Sequence, residues 1–262
     1  MICAGIDAGS RTTKVVLLEA GGRRVLASGV VDQGIEQGAL ARSLLDRLLE
    51  ENRLRRDDVV SIVATGYGRR LIDAADVAIT EITCQAWGVR HGVPNARTII
   101  DIGGQDSKLL RLCDDGAVED FVMNDRCAAG TGRFLELLAA RLGVRLAAFD
   151  ELAGRSRQPA PISSMCVVFA ETEIVGLLAS GAAPEDIVAG VEASLAARVA
   201  AMAARKTASP IVLTGGVAMV PGMADAMQAA LGQPVIVAPH PQVSCALGAA
   251  VLAHRRVNGR IY

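Results

Sequence analysis

The segment "IDAGSRTTKVVLL" at residues 6–18 recurs as "IDIGGQDSKLLRL" at residues 100–112. The offset is constant: Asp7 matches Asp101, Gly9 matches Gly103, Thr13 matches Ser107 and Lys14 matches Lys108, each pair 94 residues apart. Self-similarity at a fixed offset predicts a duplicated structural unit. In each copy an apolar run ends at an aspartate, a glycine-bearing turn follows, and a second β-rich run leaves it, which is the pattern of a hairpin. Walker loops and dinucleotide fingerprints open helices instead, so neither describes these segments.

Around the repeat, helices are predicted over Ala39 to Asn52, Gly132 to Leu142, Ala170 to Ala179, Glu185 to Ala204 and Met223 to Leu231. Strands are expected over Val59 to Ala64, Thr98 to Asp101, Lys108 to Leu112, Val118 to Met123 and Ile211 to Thr214. Strand groups followed by helices, given twice, predict an α/β protein of two lobes. The first lobe is expected over 1–94 and the second over 95–262, with a linker in "HGVPNA", where His91, Gly92, Pro94 and Asn95 stand. "CALGAAVLAH", Cys245 to His254, carries small residues at helical spacing and reads as a packing helix whose backbone approaches its neighbours closely.

The formal net charge of -1 leaves no basic excess for nucleic acid or for an anionic membrane surface. Apolar runs are interrupted too often to span a bilayer. Asp7 stands where a signal peptide would continue its apolar region, so a cytoplasmic protein is expected. The six cysteines are then reduced and available as metal ligands.

Hairpins of this kind have a readable chemistry. Backbone N–H groups beside glycine can cradle phosphate oxygens, and a hard cation such as Mg²⁺ recruits carboxylates, often through its waters. A single Asp-x-Gly is usually an ordinary β-turn, but its duplication with Thr/Ser and Lys at matched positions favours paired phosphate sites. A third glycine-rich turn follows an apolar run in "SPIVLTGGVAMVPG", at Thr214, Gly215 and Gly216. It reads either as a nucleoside contact or as a plain strand-to-helix turn.

Cys3, Cys84, Cys113 and Cys245 fall in apolar or helical patterns and read as small buried side chains. Cys127, in "NDRCAAGTGRF", and Cys166, in "SSMCVVFAETEI", instead stand just ahead of predicted helices. There the helix dipole favours a thiolate or a bound anion. No Cys-x-x-Cys occurs, and one chain offers no obvious set of four zinc or iron–sulfur ligands. Two copies around a two-fold axis would bring four thiolates together, enough for a shared iron–sulfur cluster. Two inert cysteines are the alternative.

"GIDAGSRTTK", "ATGYGRR", "DIGGQDSK", "MNDRCAAGTGRFLE", "SSMCVVFAETEI" and "LTGGVA" together resemble the ATP-dependent activators of 2-hydroxyacyl-CoA dehydratases and the related ATPase subunits of benzoyl-CoA reductase. The resemblance runs almost end to end. It implies two duplicated ribonuclease-H-like lobes, the actin-like ATPase fold, with a nucleotide cleft between them. It also implies a homodimer holding one [4Fe-4S] cluster, with Cys127 and Cys166 of each subunit as ligands. ATP hydrolysis with Mg²⁺ would drive one low-potential electron from ferredoxin or flavodoxin to an iron–sulfur dehydratase, or to benzoyl-CoA reductase subunits.

Carried over motif by motif, the resemblance assigns phosphate contacts to Gly9, Ser10, Thr12, Thr13 and Lys14, and to Gly103, Gly104 and Gln105. Asp7 and Asp101 would orient Mg²⁺ and water, and Gln105 or Asp106 would position the attacking water. Thr214, Gly215, Gly216 and Val217 would approach the nucleoside. Glu171 and Glu173 either help connect cluster and nucleotide or are surface helix charges. Arg69 and Arg70 either dock a partner or are solvated. Val220 and Cys245 depart from the family pattern, in which asparagine and glycine are usual, and this bears on the adenosine pocket. A small-molecule kinase of the same fold is the reading from another class, with both cysteines incidental.

Overall fold

Each copy of the repeat folds as an antiparallel pair of strands at the centre of its own sheet. The computed structural model describes residues 1–22, 24–163, 166–203 and 207–259. In the first copy β1 (Ile2–Ala8) pairs with β2 (Thr12–Glu19), placing Asp7 opposite Lys14. β3 (Val25–Asp32) extends the meander, helix α1 (Gln37–Glu51) crosses over, and β4 (Val59–Thr65) returns parallel to β1, followed by the short β5 (Val77–Ala78). Helix α2 (Glu81–Gly92) starts at Thr80, whose hydroxyl accepts the Thr83 N–H at 3.3 Å.

The second copy repeats the plan. β6 (Thr98–Ile102) pairs with β7 (Ser107–Leu112), with Asp101 opposite Lys108, and β8 (Val118–Asn124) follows. The crossover here carries four helices among the described residues: α3 (Gly132–Leu142), α4 (Phe149–Gly154), α5 (Val167–Ala179) and α6 (Pro184–Met202). β9 (Ile211–Thr214) then runs parallel to β6, and α7 (Met223–Leu231) leads to β10 (Val235–Val237), parallel to β9. The sheet orders are β3-β2-β1-β4-β5 and β8-β7-β6-β9-β10, one topology used twice. The final helix, α8 (Ser244–Val257), completes the chain's described elements.

Two compact units result. One comprises Met1–Ala96, Leu112–Val118 and Ala238 onward; the other comprises Arg97–Arg111 and Glu119–Val237. Thus α8 belongs with the first sheet, whereas a boundary at residue 94 assigns it to the second lobe. The reason is close packing. A Cβ on Gly5 of β1 would stand 2.0 Å from the Ala246 carbonyl oxygen, and one on Gly248 would stand 1.7 Å from that of Cys84 in α2. Only glycine lets α8 lie this near β1 and α2. The turn 112–118 joins the same unit, where Arg90 donates to the Asp115 carbonyl at 2.6 Å.

The strand alternation explains why β1 and β2 read as unbroken apolar runs. Ile2, Ala4, Ile6, Val15 and Leu17 pack with Leu44, Leu45 and Leu48 of α1, while Cys3, Val16 and Leu18 face residues of α8 from the other side. In the second unit Ile100, Ile102, Ile211 and Leu213 pack with Phe134, Leu135 and Leu138 of α3 and Ile187, Val191 and Leu195 of α6.

The helices and strands read from the sequence are present with ends shifted by a few residues. Ala204, expected at the end of α6, lies outside the described residues, as do Ser164 and Met165 ahead of Cys166. His91 and Gly92, read as linker, form the last turn of α2. The edge strand β3 and helix α2 lack a clear apolar period and do not stand out in the sequence.

Candidate functional site

In the first hairpin the Lys14 ammonium lies 3.0 Å from Asp7 Oδ2, both side chains mostly buried. The turn is closed by the Gly9 N–H donating to the Thr12 carbonyl at 3.1 Å. Gln33, at the end of β3, clamps it from the side: its Nε2 donates to the Gly9 carbonyl at 2.6 Å, and its Oε1 accepts from Thr13 Oγ1 at 3.0 Å. Thr13 is therefore fully buried and turned to Gln33, while Ser10 is exposed at the apex.

In the second hairpin Lys108 Nζ is 2.8 Å from Asp106 Oδ2 and 3.8 Å from Asp101 Oδ2. The Gly103 N–H donates to the Asp106 carbonyl at 2.9 Å, and Gln105 stands exposed at the apex. Each hairpin thus pairs a buried lysine with the strand-end aspartate. Among the described residues no group of three or more His, Cys, Asp or Glu is arranged for a metal ion. A Mg²⁺ here fits as an ion carried largely by nucleotide phosphates and water, with one or two carboxylates.

A further element of the duplication lies beside each aspartate. Asp7 pairs in register with Thr65 of β4, and Asp101 with Thr214 of β9; each threonine is followed by a glycine at φ +86, Gly66 and Gly215. A Cβ on Gly66 would lie 2.4 Å from Asp7 Oδ1, and one on Gly215 would lie 2.5 Å from Asp101 Oδ1. The "ATG" and "LTG" stretches carry this signal, yet Gly66 and Gln33 both lie outside the contiguous repeat. Arg69 donates to the Gly66 carbonyl at 2.9 Å, which ties one of the two loop arginines down. Gly216 is exposed, whereas Thr214, Val217 and Val220 are buried, Val217 and Val220 in the second core. The Cys245 thiol reaches the Glu81 carbonyl at 3.7 Å.

The loop after β8 connects to the second hairpin. The first N–H groups of α3, those of Gly132 and Arg133, donate to the Gly103 and Gly104 carbonyls at 2.9 and 3.0 Å. Just upstream, the Asn124 amide brackets Cys127, accepting its N–H at 3.0 Å and donating to its carbonyl at 2.8 Å. Cys127 is exposed, as is Cys166, the residue that opens α5. Exposed apolar residues flank both in sequence: Phe121 and Val122 precede Cys127, and Val168 and Phe169, 67% and 70% exposed, follow Cys166. The other cysteines differ. Burial pushes the Cys3 thiol up to about 11 and the Cys84 thiol up to about 12, so both stay protonated in the core. Cys113 and Cys245 are partly buried.

Glu171 pairs with Arg141 at the end of α3, and Glu173 accepts the Ser163 N–H and hydroxyl at 2.9 and 2.7 Å. Both glutamates brace α5 against its surroundings. Among the described residues no helix is long and apolar enough to cross a membrane.

Two sheets of one repeated order, each with a strand-end aspartate, a lysine partner and a glycine turn, define a two-lobed actin-like ATPase fold. The model of the BadF/BadG/BcrA/BcrD ATPase family matches residues 4–253, and the chain belongs to that family. It is an ATP-binding ATPase. It is 45% identical over 255 residues to the activator of lactoyl-CoA dehydratase of Anaerotignum propionicum, covering 97% of this chain and 98% of the relative. The solved structure of the activator of the 2-hydroxyisocaproyl-CoA dehydratase from Clostridium difficile with bound ADPNP superposes with a TM-score of 0.93 at 40% identity, covering 99% of this chain and 96% of that one. A benzoyl-CoA reductase subunit of Thauera aromatica is 31% identical over 227 residues, covering 85% of this chain and 80% of the relative.

Proposed function

We propose that this protein is a dehydratase-activating ATPase. As a homodimer it would hold one [4Fe-4S] cluster on Cys127 and Cys166 of each subunit and deliver a low-potential electron to a 2-hydroxyacyl-CoA dehydratase. The observation that carries this reading is the pair of exposed thiols in the unit that holds the second hairpin. One of them stands just ahead of the helix whose first N–H groups bond that hairpin. The 45% identity to a dehydratase activator supports it.

The residues fit a cluster in number and chemistry. Two accessible thiols per chain are half of a four-thiolate set, so the set closes only when a second copy supplies the rest. Phe121, Val122, Val168 and Phe169 would be covered by the same pairing, which removes exposed apolar surface from water. When bound, the cluster supplies a one-electron centre whose potential responds to hydrogen bonding and solvent exposure.

The hairpins divide the nucleotide chemistry. Phosphate oxygens would take Lys14 with the Gly9, Ser10 and Thr12 turn, and Mg²⁺ with its waters would take Asp7 and Asp101. At the second hairpin Gly103 and Gly104, which carry no side chains, would let phosphate approach the turn closely. Asp106 is engaged by Lys108, whereas Gln105 is exposed at the apex, which favours Gln105 as the group that orients the attacking water. Thr214, Gly215, Gly216 and Val217 form the nucleoside side, with the buried Val217 as its floor. Release of the γ-phosphate would alter the turn at Gly103 and Gly104, and α3 would pass that change to the Cys127 loop.

A permanent ATPase component of a benzoyl-CoA reductase is the second reading, carried by the 31% identity to such a reductase subunit. Stable copurification with the other reductase polypeptides separates it from a transient activator that takes electrons from ferredoxin or flavodoxin. The central test is anaerobic purification with iron and sulfide analysis and electron paramagnetic resonance of the reduced protein, on the natural chain and on Cys127→Ser and Cys166→Ser. About four irons per dimer, lost in either variant, is the expected result for a shared cubane. An iron-free dimer after reconstitution removes the electron-transfer reading and leaves a kinase of the same fold.

A further inference from the structure

Two of the chain's three histidines line one cavity in the first unit, and none of its lining residues belongs to the hairpins. The cavity measures about 420 Å³, within the ~300–1,000 Å³ range usual for small-molecule sites. Its wall includes Arg24 and Val25 at the start of β3, His91 in the last turn of α2, Pro239 and His240 after β10, and Leu247 of α8. A Cβ on Gly92 would lie 2.9 Å from Pro239 Cγ, so the glycine lets this ring seat against α2 with His240 next in the chain. His91 is held below its usual value, first by burial and then by the charge of His240. No hydrogen bond holds either ring among the described residues.

Arg24 lines the cavity with the two histidines, and no acidic side chain is among its lining residues. Arg24 has Glu19 at 3.3 Å, but that pair is exposed and largely screened by water. The first turn of α8, which contributes Ser244 and Leu247 to the wall, carries no acidic side chain. Imidazole N–H groups and a guanidinium fork are donors suited to an oxyanion, and Val25, Pro239 and Leu247 offer an apolar surface beside them.

We propose that this cavity binds a small organic oxyanion, a phosphate or carboxylate held by Arg24, His91 and His240 with its apolar body against Val25, Pro239 and Leu247. The test is carried out on the intact chain, kept anaerobic, with the nucleotide site filled by Mg²⁺–ADP and with pH and ionic strength fixed. The imidazole Cε1–H resonances are followed while inorganic phosphate, n-butyl phosphate and butyrate are added. The resonances of His91 and His240, assigned by their loss in His91→Gln and His240→Gln, should shift saturably, while His254, outside the cavity, stays still. Butyl phosphate should bind several-fold more tightly than inorganic phosphate. Butyrate distinguishes a carboxylate ligand from a phosphate one. Arg24→Gln, at an exposed position that leaves the core untouched, should weaken binding at least fivefold. Shifts that are linear, absent or shared equally by His254 would overturn the site, and a butyl ester bound no better than inorganic phosphate would overturn its organic ligand.

Discussion

The backbone N–H of Gly132 donates to the carbonyl oxygen of Gly103 at 2.9 Å, joining the helix behind Cys127 to the second hairpin. The contact leaves no room to spare. A Cβ on Gly132 would lie 3.2 Å from that carbonyl oxygen, 3.2 Å from Val217 Cγ2 and 3.4 Å from Gly104 Cα. Gly132→Ala should therefore shift the hairpin by tenths of an ångström and keep the fold. ATP turnover should fall by roughly tenfold, on the order of 1.4 kcal/mol in the barrier, with the melting temperature nearly unchanged. Steady-state hydrolysis against ATP concentration, with a melting curve alongside, checks this; unaltered turnover would show that the hydrogen bond does not position the hairpin.

Gly66 and Gly215 hold the left-handed backbone beside Asp7 and Asp101. Alanine at either position meets a carboxylate oxygen at 2.5 Å or closer and a carbonyl oxygen about as near, and the backbone conformation itself is strained. The expected cost is ~2 kcal/mol of stability for each substitution, with loss of Mg²⁺-dependent hydrolysis because the aspartate must turn away. Urea unfolding and hydrolysis assays on Gly66→Ala and Gly215→Ala read both effects. Equal sensitivity of the two variants would support the equivalence of the two copies.

Much of this site is legible in the sequence because the repeat keeps residue types at fixed offsets. Asp7 faces Lys14 in one hairpin register and Asp101 faces Lys108 in the other, as the 94-residue echo anticipates. Gln33 is not legible: it lies just past an edge strand of small residues, and its clamp on Gly9 exists only once β3 pairs with β2. The return of α8 to the first sheet is hidden for a related reason. Its small residues announce close packing, but nothing in their spacing says that the partners are Gly5 and Gly88, far away in the chain. The Thr13 hydroxyl suggests a phosphate ligand; strand pairing buries it and turns that hydroxyl to Gln33.

Lys108 serves two carboxylates, Asp106 and Asp101, while Lys14 serves Asp7. Lys108→Met takes one buried cation from two carboxylates and Lys14→Met takes one from Asp7, so Lys108→Met should destabilise the fold by about 3–5 kcal/mol and more than Lys14→Met does. Adding Asp106→Asn to Lys108→Met should recover part of the loss, because one of the two stranded charges is gone. Chemical denaturation of the three variants decides it. A Lys108→Met protein as stable as Lys14→Met would show that Asp101 and Asp106 find other partners.

Glu192 on α6 is 4% exposed, and its Oε1 has no hydrogen-bond partner among the described residues. A Cβ on Gly222 would lie 3.2 Å from Glu192 Oε2 and 3.5 Å from Asp150 Oδ1, so two carboxyls face the same glycine. Burial first, and the Asp150 charge second, push Glu192 up from 4.5 to about 7. Between those values the folded chain keeps a proton that the unfolded chain has released, so this group's contribution to stability falls as pH rises and levels off above about 7. The loss across that window is on the order of 3 kcal/mol. Glu192→Gln keeps the size of the side chain and removes the ionisation. The variant should match the natural protein near pH 5 and exceed it in stability near pH 8. Thermal and urea unfolding of both proteins from pH 5 to pH 8 gives the difference directly, free of the other titrating groups. Parallel curves would mean that Glu192 is solvated or paired when the protein is folded, and the buried carboxyl would then contribute nothing to the pH dependence of the fold.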